Sequence, residues 1–325
     1  MRAIGTILIF AAALLASAEE HRYRLSMPWS PQAQFAGYYY AAAHGIFERH
    51  GLKVEVLHRP PEHSVFASLR EPESDFVVAP LLTALQVRDA GTDLIQIAQI
   101  SRNSSLMLVG RRSAGIGDDP AKLADRSKTL RAAVWTIDFD LLPEIFLNRY
   151  APEAERIALS ADVDLFLWGA ADLISVMEYN EYYQLLAAGI PASDLMRFRM
   201  RDYGMNIPED GVYALAETRR RRPADCVAMR EAVLEGWREA VRNPAETLRL
   251  VRRECRKANR PFDPALQAWM FRRFCEDIEL NRPGFGSLSR QSYDNAVRLL
   301  THQHRIRTAL PLEEFAPFNG RGDGR

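Results

Sequence analysis

Trp29-Ser30-Pro31-Gln32-Ala33-Gln34-Phe35-Ala36-Gly37-Tyr38-Tyr39-Tyr40, followed by Ala43-His44-Gly45-Ile46-Phe47 and Gly51-Leu52-Lys53-Val54-Glu55-Val56, reads as one strand-to-helix-to-strand passage. A short apolar run, Tyr23-Leu25, leads into the aromatic turn. Ser30 offers a side-chain oxygen to cap a helix start, and Pro31 stands in the first turn, where its missing amide proton costs nothing. A helix is expected over Gln34-Ala43 with a stop at Gly45, and the alternation after Gly51 predicts a strand over Lys53-His58. Trp29 and the helix start then lie at the carboxyl end of the first strand, where open α/β sheets bind ligands. Successive helical residues point about 100° apart, so Tyr38, Tyr39 and Tyr40 cannot all face one cleft, and at least one belongs to the core.

The alternation continues outward. Strands are expected over Asp75-Ala79, Leu94-Ile100, Leu106-Gly110, Arg131-Trp135, Leu173-Met177, Arg197-Met200 and Val212-Ala216. Helices are expected between them over Ser64-Leu69, Thr83-Ala90, Asp140-Tyr150 and Glu181-Ala187. Such alternation predicts an α/β protein built on largely parallel sheets. From Pro223 no β run interrupts the amphipathic helices Pro223-Arg242, Pro244-Ala258, Asp263-Asn281 and Ser289-His302. The polar stretches Arg111-Ser127 and Arg201-Gly211 are read as crossings between two lobes. Lobe one is expected over 19–111, lobe two over 112–200, a mostly helical return to lobe one over 201–308, and a tail over 309–325 as an extended arm. Two adjacent crossings make a hinge and place a ligand cleft between the lobes.

The 325 residues carry 42 Lys+Arg against 42 Asp+Glu, with 47% hydrophobic content. That length suits two domains and a large core, and formal neutrality argues against nucleic-acid binding, which needs an excess of clustered cations. Lysine occurs only at Lys53, Lys122, Lys128 and Lys257, so there are few candidates for Schiff-base chemistry. Cys226, Cys255 and Cys275 lack metal-type spacing and read as buried apolar residues, with Cys255 and Cys275 the pair to bridge in an exported chain. Met1-Arg2, the apolar run Ile4-Leu15 and Ala16-Ser17-Ala18 before Glu19-Glu20 form a Sec signal peptide over 1–18, which predicts a periplasmic mature chain starting near Glu19. No Gly-rich phosphate loop, Ser-His-Asp order or paired metal ligands can be assembled, and His302 and His304 read as surface residues. No catalytic residue, metal or cofactor is expected.

The Trp29-Tyr40 passage and the Gly-Leu-x-Val strand after it resemble the opening of the NMT1/THI5-like family, in which a Trp-x-Pro-x-Ala-Gln/Glu run precedes Gly-Tyr-Tyr. The likeness continues in order through Trp168-Gly169-Ala170-Ala171-Asp172, Tyr179-Asn180-Glu181, Asp202-Tyr203-Gly204 and Glu209-Asp210-Gly211, over roughly Tyr23-Val251. The resemblance implies a type II periplasmic-binding-protein fold, two α/β lobes with a hinge and a helical C-terminal portion. It also implies a solute-binding subunit of an ABC importer, monomeric when free, that carries a pyrimidine precursor of thiamine such as formylaminopyrimidine or hydroxymethylpyrimidine to a membrane permease. A sulfonate binder or a periplasmic sensor would share the fold. An aminopyrimidine wants aromatic faces and an acceptor at its amino edge. Trp29, Tyr38, Tyr39, Trp135, Tyr179 and Tyr203 can supply faces, Asn180 and Glu181 the polar edge, and Gln34 is a further candidate at the helix start. The family's own site falls on Tyr179 and Glu181, although an acid at Glu181 also suits the start of the helix that follows. Trp135, at a strand end, suits core packing equally well. Ala79-Pro80-Leu81-Leu82 stands where related binders often carry small hydroxyl residues. Asp138 and Asp140 read first as helix caps and second as acceptors. The superfamily includes eukaryotic enzymes that use a lysine-bound pyridoxal phosphate and a histidine of their own, and His44 falls near the relevant helix. Lys53, however, sits mid-strand, and Lys122 and Lys128 lie in a polar connector, so no enzyme is expected.

Overall fold

The computed structural model describes residues 21–60, 64–71, 73–136, 138–159 and 162–319. The leader expected over 1–18 lies outside them. The strands are β1 (Arg22–Met27), β2 (Lys53–His58), β3 (Phe76–Ala79), β4 (Leu94–Gln99), β5 (Leu106–Arg111), β6 (Arg131–Trp135), β7 (Glu155–Leu159), β8 (Leu173–Met177), β9 (Leu195–Arg199) and β10 (Gly211–Leu215). They form two five-stranded sheets, one in the order β2-β1-β3-β10-β4 and the other β7-β6-β8-β5-β9.

Each sheet is mixed rather than largely parallel. β1 runs parallel to β2 and β3, and β6 to β7 and β8, as strand-helix-strand units require. β10 is antiparallel to β3 and β4, and β5 to β8 and β9. These two strands enter from the other half of the molecule without a crossover helix, so nothing forces them to run with their neighbours. β5 also corrects the expected boundary near Arg112. It pairs only within the second sheet, so the chain changes halves between Gln99 and Leu106. The polar stretch after β5 is instead a surface turn leading to a 3₁₀ segment, Pro120–Thr129. β7 is an unexpected edge strand: Glu155 and Arg156 give it no continuous apolar run, and it stays half exposed.

The strand pleat sorts side chains between two cores. Leu106 and Leu108 of β5 join the larger cluster, which runs through the first half, while Met107 and Val109 join a smaller one on the other face of the second sheet. The C-terminal helices Pro223–Arg242, Pro244–Lys257, Pro264–Ile278 and Arg290–His302 follow the expected pattern. The tail does not stay extended. Leu312–Phe315 forms a helical turn, and Phe315 and Phe318 are buried, with the Phe315 ring 6.2 Å from Tyr213 and 5.5 Å from Tyr293. Cys226, Cys255 and Cys275 are all free thiols, so the anticipated bridge is absent; Cys255 instead hydrogen-bonds the Pro31 carbonyl.

The first helix starts later than Ser30. A 3₁₀ turn over Ala33–Phe35 leads into Ala36–Ala43, and neither start carries a local side-chain cap. Gln267, from the helix Pro264–Ile278, takes the Ala33 N–H at 2.7 Å and so does the work expected of Ser30. The helix Pro223–Arg242 lies hard against Ala36–Ala43. A Cβ on Gly37 would stand 2.3 Å from the Trp237 ring, and one on Gly236 would stand 2.6 Å from the Gly37 carbonyl oxygen.

Candidate functional site

The two crossings between the sheets run side by side and are stitched together by short polar side chains. Ser104 N–H donates to Asn206 Oδ1 at 2.8 Å, and Asn206 Nδ2 to Asn103 Oδ1 at 3.0 Å. Glu209 accepts from Ser104 Oγ at 2.5 Å and from Ser105 N–H at 3.1 Å, while the Glu209 and Asp210 amides both donate to Ser101 Oγ. Such a ladder fixes where the return crossing puts its acids.

A narrow, part-open cleft lies beside this ladder, lined by Pro80, Leu82, Leu106, Asp138, Phe139, Leu141, Leu142, Ile207, Pro208 and Glu209. It lies at the carboxyl ends of β3 and β6, where α/β sheets present ligands. Among the described residues that line it, the polar side chains are the carboxyls of Asp138 and Glu209. Burial pushes the Glu209 carboxyl up to about 8, against the lowering effect of the Ser104 and Ser105 hydrogen bonds. Asp138 is likewise raised, by burial first and by Asp140, while a hydrogen bond from Thr83 opposes the rise. Asp138 sits in the left-handed region at φ 63°, a conformation Asp tolerates better than most residues and one that turns its side chain across to Thr83. The capping expected of Asp138 and Asp140 is not made. Asp140 occupies the cap position with helical backbone and no side-chain bond, and pairs with Arg305 at 3.9 Å.

The sequence-derived candidates separate into groups. Gln34, Tyr38 and Tyr179 gather at Asp210: Gln34 Nε2 donates to Asp210 Oδ1 at 2.8 Å, and the Asp210 charge acts on both phenols. Glu181 also acts on Tyr179, and burial raises its own carboxyl to about 7. Its oxygens are engaged locally, by Met177 N–H at 2.9 Å and Asn180 Nδ2 at 2.6 Å. Tyr39 turns away to His58, at 3.0 Å from its hydroxyl, and the same imidazole meets the Trp29 carbonyl at 2.6 Å, so Trp29 and Tyr39 belong to the β2 side. Tyr40 stacks on His44 at 4.2 Å. Trp135 packs edge-on to Phe139, the cleft-lining ring, at 5.7 Å. Tyr203 joins Phe146, Phe198 and Tyr150 in the second half, away from the cleft. Asp210 and Glu209 were legible only as part of the Glu209-Asp210-Gly211 block, and Phe139 only as the residue between two acids; nothing local in the sequence assigns them to a wall.

A second acidic centre has the opposite character. Glu178 meets Arg199 at 2.9 Å, Arg201 at 3.0 Å and Arg273 at 3.6 Å; burial would raise its carboxyl, but the three guanidinium groups hold it below the usual range. Arg201 reaches on to Asp277 at 3.2 Å. Trp269, on the same helix as Arg273, donates to the Glu178 carbonyl at 3.1 Å and lies 5.5 Å from the Tyr183 ring. This C-terminal helix therefore touches the first helix through Gln267 and the second half through Trp269 and Arg273.

Two α/β halves joined by paired crossings, with a cleft at the strand ends between them, define the periplasmic-binding-protein fold. The chain belongs to the NMT1/THI5-like family, whose model matches residues 32–247. It is similar in structure to the periplasmic aliphatic sulphonate binding protein SsuA from Escherichia coli, at 12% identity, with 91% of each chain covered and a TM-score of 0.67. The alkanesulfonate-binding protein SsuA from Xanthomonas axonopodis pv. citri, bound to MOPS, aligns at 14% identity over 88% of this chain and 94% of that one, with a TM-score of 0.63. A Candida albicans protein described as having the generic periplasmic binding protein fold aligns at 12% identity over 90% and 93%, with a TM-score of 0.63. At these identities the likeness is one of fold. No curated protein matches the sequence.

Proposed function

We propose that the chain is the solute-binding subunit of an ABC importer, exported to the periplasm, and that its cleft takes a small hydrogen-bond-donating solute of the aminopyrimidine kind. The observation that carries this reading is the polarity of the cleft. Its polar side chains among the described residues are carboxyls, Asp138 and Glu209, with no arginine or lysine among the described lining residues. A sulfonate or nitrate would find no cationic partner among the described lining residues, whereas an amino-substituted ring meets carboxyl oxygens and the apolar faces of Phe139, Pro80 and Pro208. A solute held by both Glu209 on the crossing and Asp138 of the second half makes contacts that exist only when the halves are together, so it favours the closed arrangement, the form a permease would recognise. Tyr179 remains part of this reading because the Asp210 charge acts on its phenol, and Glu181 because it acts on the same phenol.

The test is a thermal-shift panel on the chain from Glu19, with hydroxymethylpyrimidine, formylaminopyrimidine, thiamine, taurine, ethanesulfonate and nitrate, followed by calorimetry. A ligand at a hundred times its Kd stabilises by about 2.7 kcal/mol. Stabilisation by an aminopyrimidine alone is the expected result. The solved structures similar in fold include sulfonate binders, so a response only to taurine or ethanesulfonate would replace the ligand class and overturn this assignment.

A further inference from the structure

Asp210 follows Glu209 on the return crossing and is fixed on almost every side. Its N–H donates to Ser101 Oγ at 3.0 Å; its carbonyl takes the Ile100 N–H at 2.8 Å and Gln99 Nε2 at 3.0 Å; its Oδ1 takes Gln34 Nε2 at 2.8 Å. Oδ2 is fully buried and has no hydrogen-bond partner. The buried Tyr38 hydroxyl is approached by Trp237 Nε1, whose hydrogen bond opposes the rise that burial gives the phenol, and the Trp237 ring stands edge-on to Tyr38 at 6.0 Å. Trp237 packs on Phe274 at 5.2 Å, and Phe274 meets Tyr179 edge-on at 5.6 Å. The charge of Asp210 acts on Tyr38, Tyr179 and Tyr213, and among the described residues it forms no ion pair.

A buried polar atom left without a partner costs more than an ordinary hydrogen bond returns, so the free Oδ2 of Asp210 calls for an explanation outside the chain's own contacts. The chemistry of the set is specific. A carboxylate oxygen is an acceptor, a phenol accepts or donates, and aromatic walls favour flat heterocycles and cations. We propose, resting on the reading of the cleft as a solute site, that Asp210 anchors an inner subsite that takes the cationic or N–H-donating end of the solute, with Tyr38 and Tyr179 beside it. The rest of the solute lies toward Glu209 and Asp138. The subsite is covered while the halves are together, so the solute enters it when they part. Because backbone and Gln34 contacts hold Asp210 rigidly, its free oxygen discriminates by charge and donor placement, accepting amines and amidines and repelling sulfonates.

The test uses Asp210→Asn and Tyr38→Phe in the chain from Glu19, with melting temperature in the absence of ligand and calorimetry against hydroxymethylpyrimidine, benzamidine and ethanesulfonate. Asp210→Asn is expected to melt no lower than wild type when empty, because the carboxamide keeps the shape and the Gln34 contact and removes a buried ionisable group. It is expected to bind hydroxymethylpyrimidine at least about tenfold more weakly, and Tyr38→Phe about threefold to tenfold more weakly. Pyrimidine affinity in Asp210→Asn within about twofold of wild type overturns the subsite while leaving the cleft assignment standing. Benzamidine binding by wild type that disappears in Asp210→Asn, with no pyrimidine binding by either, supports the subsite and overturns the pyrimidine assignment. An empty Asp210→Asn that melts well below wild type makes Asp210 a structural strut of the crossing and overturns the subsite. A wild type that responds only to ethanesulfonate, or to none of the probes, overturns it too.

Discussion

At the scale of single residues, Glu181 separates what a side chain does for the fold from what it offers a ligand. Its oxygens accept from the Met177 backbone amide and from the Asn180 carboxamide, inside a turn that is almost wholly buried. Removing the acceptor leaves the Met177 N–H buried without a partner, a cost of about 1–3 kcal/mol. Glu181→Ala should therefore lower the free energy of unfolding in urea by that amount, and Glu181→Gln, which keeps a carbonyl oxygen, by clearly less. Equal stability of Glu181→Ala and wild type would mean that the turn holds without this acceptor. The comparison also explains why the site was only partly legible. The Tyr179-Asn180-Glu181 block signals an acid at a helix start, which local chemistry explains fully, whereas the unpartnered oxygen of Asp210 arises from where Gln34, Ser101 and Tyr38 arrive from elsewhere in the chain.

At the scale of elements, the packing of the first helix gives the Gly-Tyr-Tyr run a physical reason. Gly37 lies under the Trp237 ring and Gly236 lies over the Gly37 carbonyl, so each glycine is what lets the two helix backbones approach. Gly37→Ala must displace a ring that is fully buried among core residues, and overpacking of this kind costs about 1–3 kcal/mol. A urea midpoint shifted down accordingly is expected; an unshifted midpoint would mean that Trp237 can move aside. Gln267→Ala removes the acceptor for Ala33 N–H and should cost about 1 kcal/mol, as loss of a helix cap does. Elements with local signals were readable in advance: prolines at helix starts, the Glu181–Ala187 helix and the long C-terminal helices all fall where their own residues place them. The late start of the first helix, the sheet assignment of β5, the edge strand β7 and the buried turn near Phe315 were not, because each is decided by a partner far away in sequence. Period and punctuation give the elements, and pairing gives their neighbours.

At the scale of the whole molecule, two kinds of buried acid act on stability in opposite senses. Glu178 is surrounded by Arg199, Arg201 and Arg273 and lies where Trp269 ties the C-terminal helix to the second half. Trp269→Ala should loosen that tie and enlarge the radius of gyration measured by X-ray scattering without ligand, while an unchanged radius would show that the crossings alone hold the halves together. Along the crossings and near them, Glu209 is raised to about 8, Asp210 and Glu181 to about 7 and Asp277 to about 6, in each case chiefly by burial. Unfolded, these groups would titrate near 4. Between about pH 4 and pH 8 the native chain therefore holds protons that the unfolded chain has released, and stability falls as pH rises, at up to about 1.4 kcal/mol per pH unit for each such group while it titrates. Their contribution is complete on the acid side of the unfolded values and is lost as pH climbs through the folded ones. Glu178 has its pKa lowered, so it stabilises above its unfolded value and loses that contribution on acidification. The described groups that act on Glu209 are Ser104, Ser105, Asp210 and Asp277, and no cation is among them. Glu209 should thus dominate the upper part of the profile. The melting temperature of the ligand-free chain is expected to fall from about pH 6 to about pH 8.5, and Glu209→Gln, which cannot ionise, should flatten that fall above about pH 7. A wild-type profile that is level or rising over this range, or a Glu209→Gln profile with the same slope as wild type, would mean that the crossing acids are solvated rather than desolvated in the ligand-free chain.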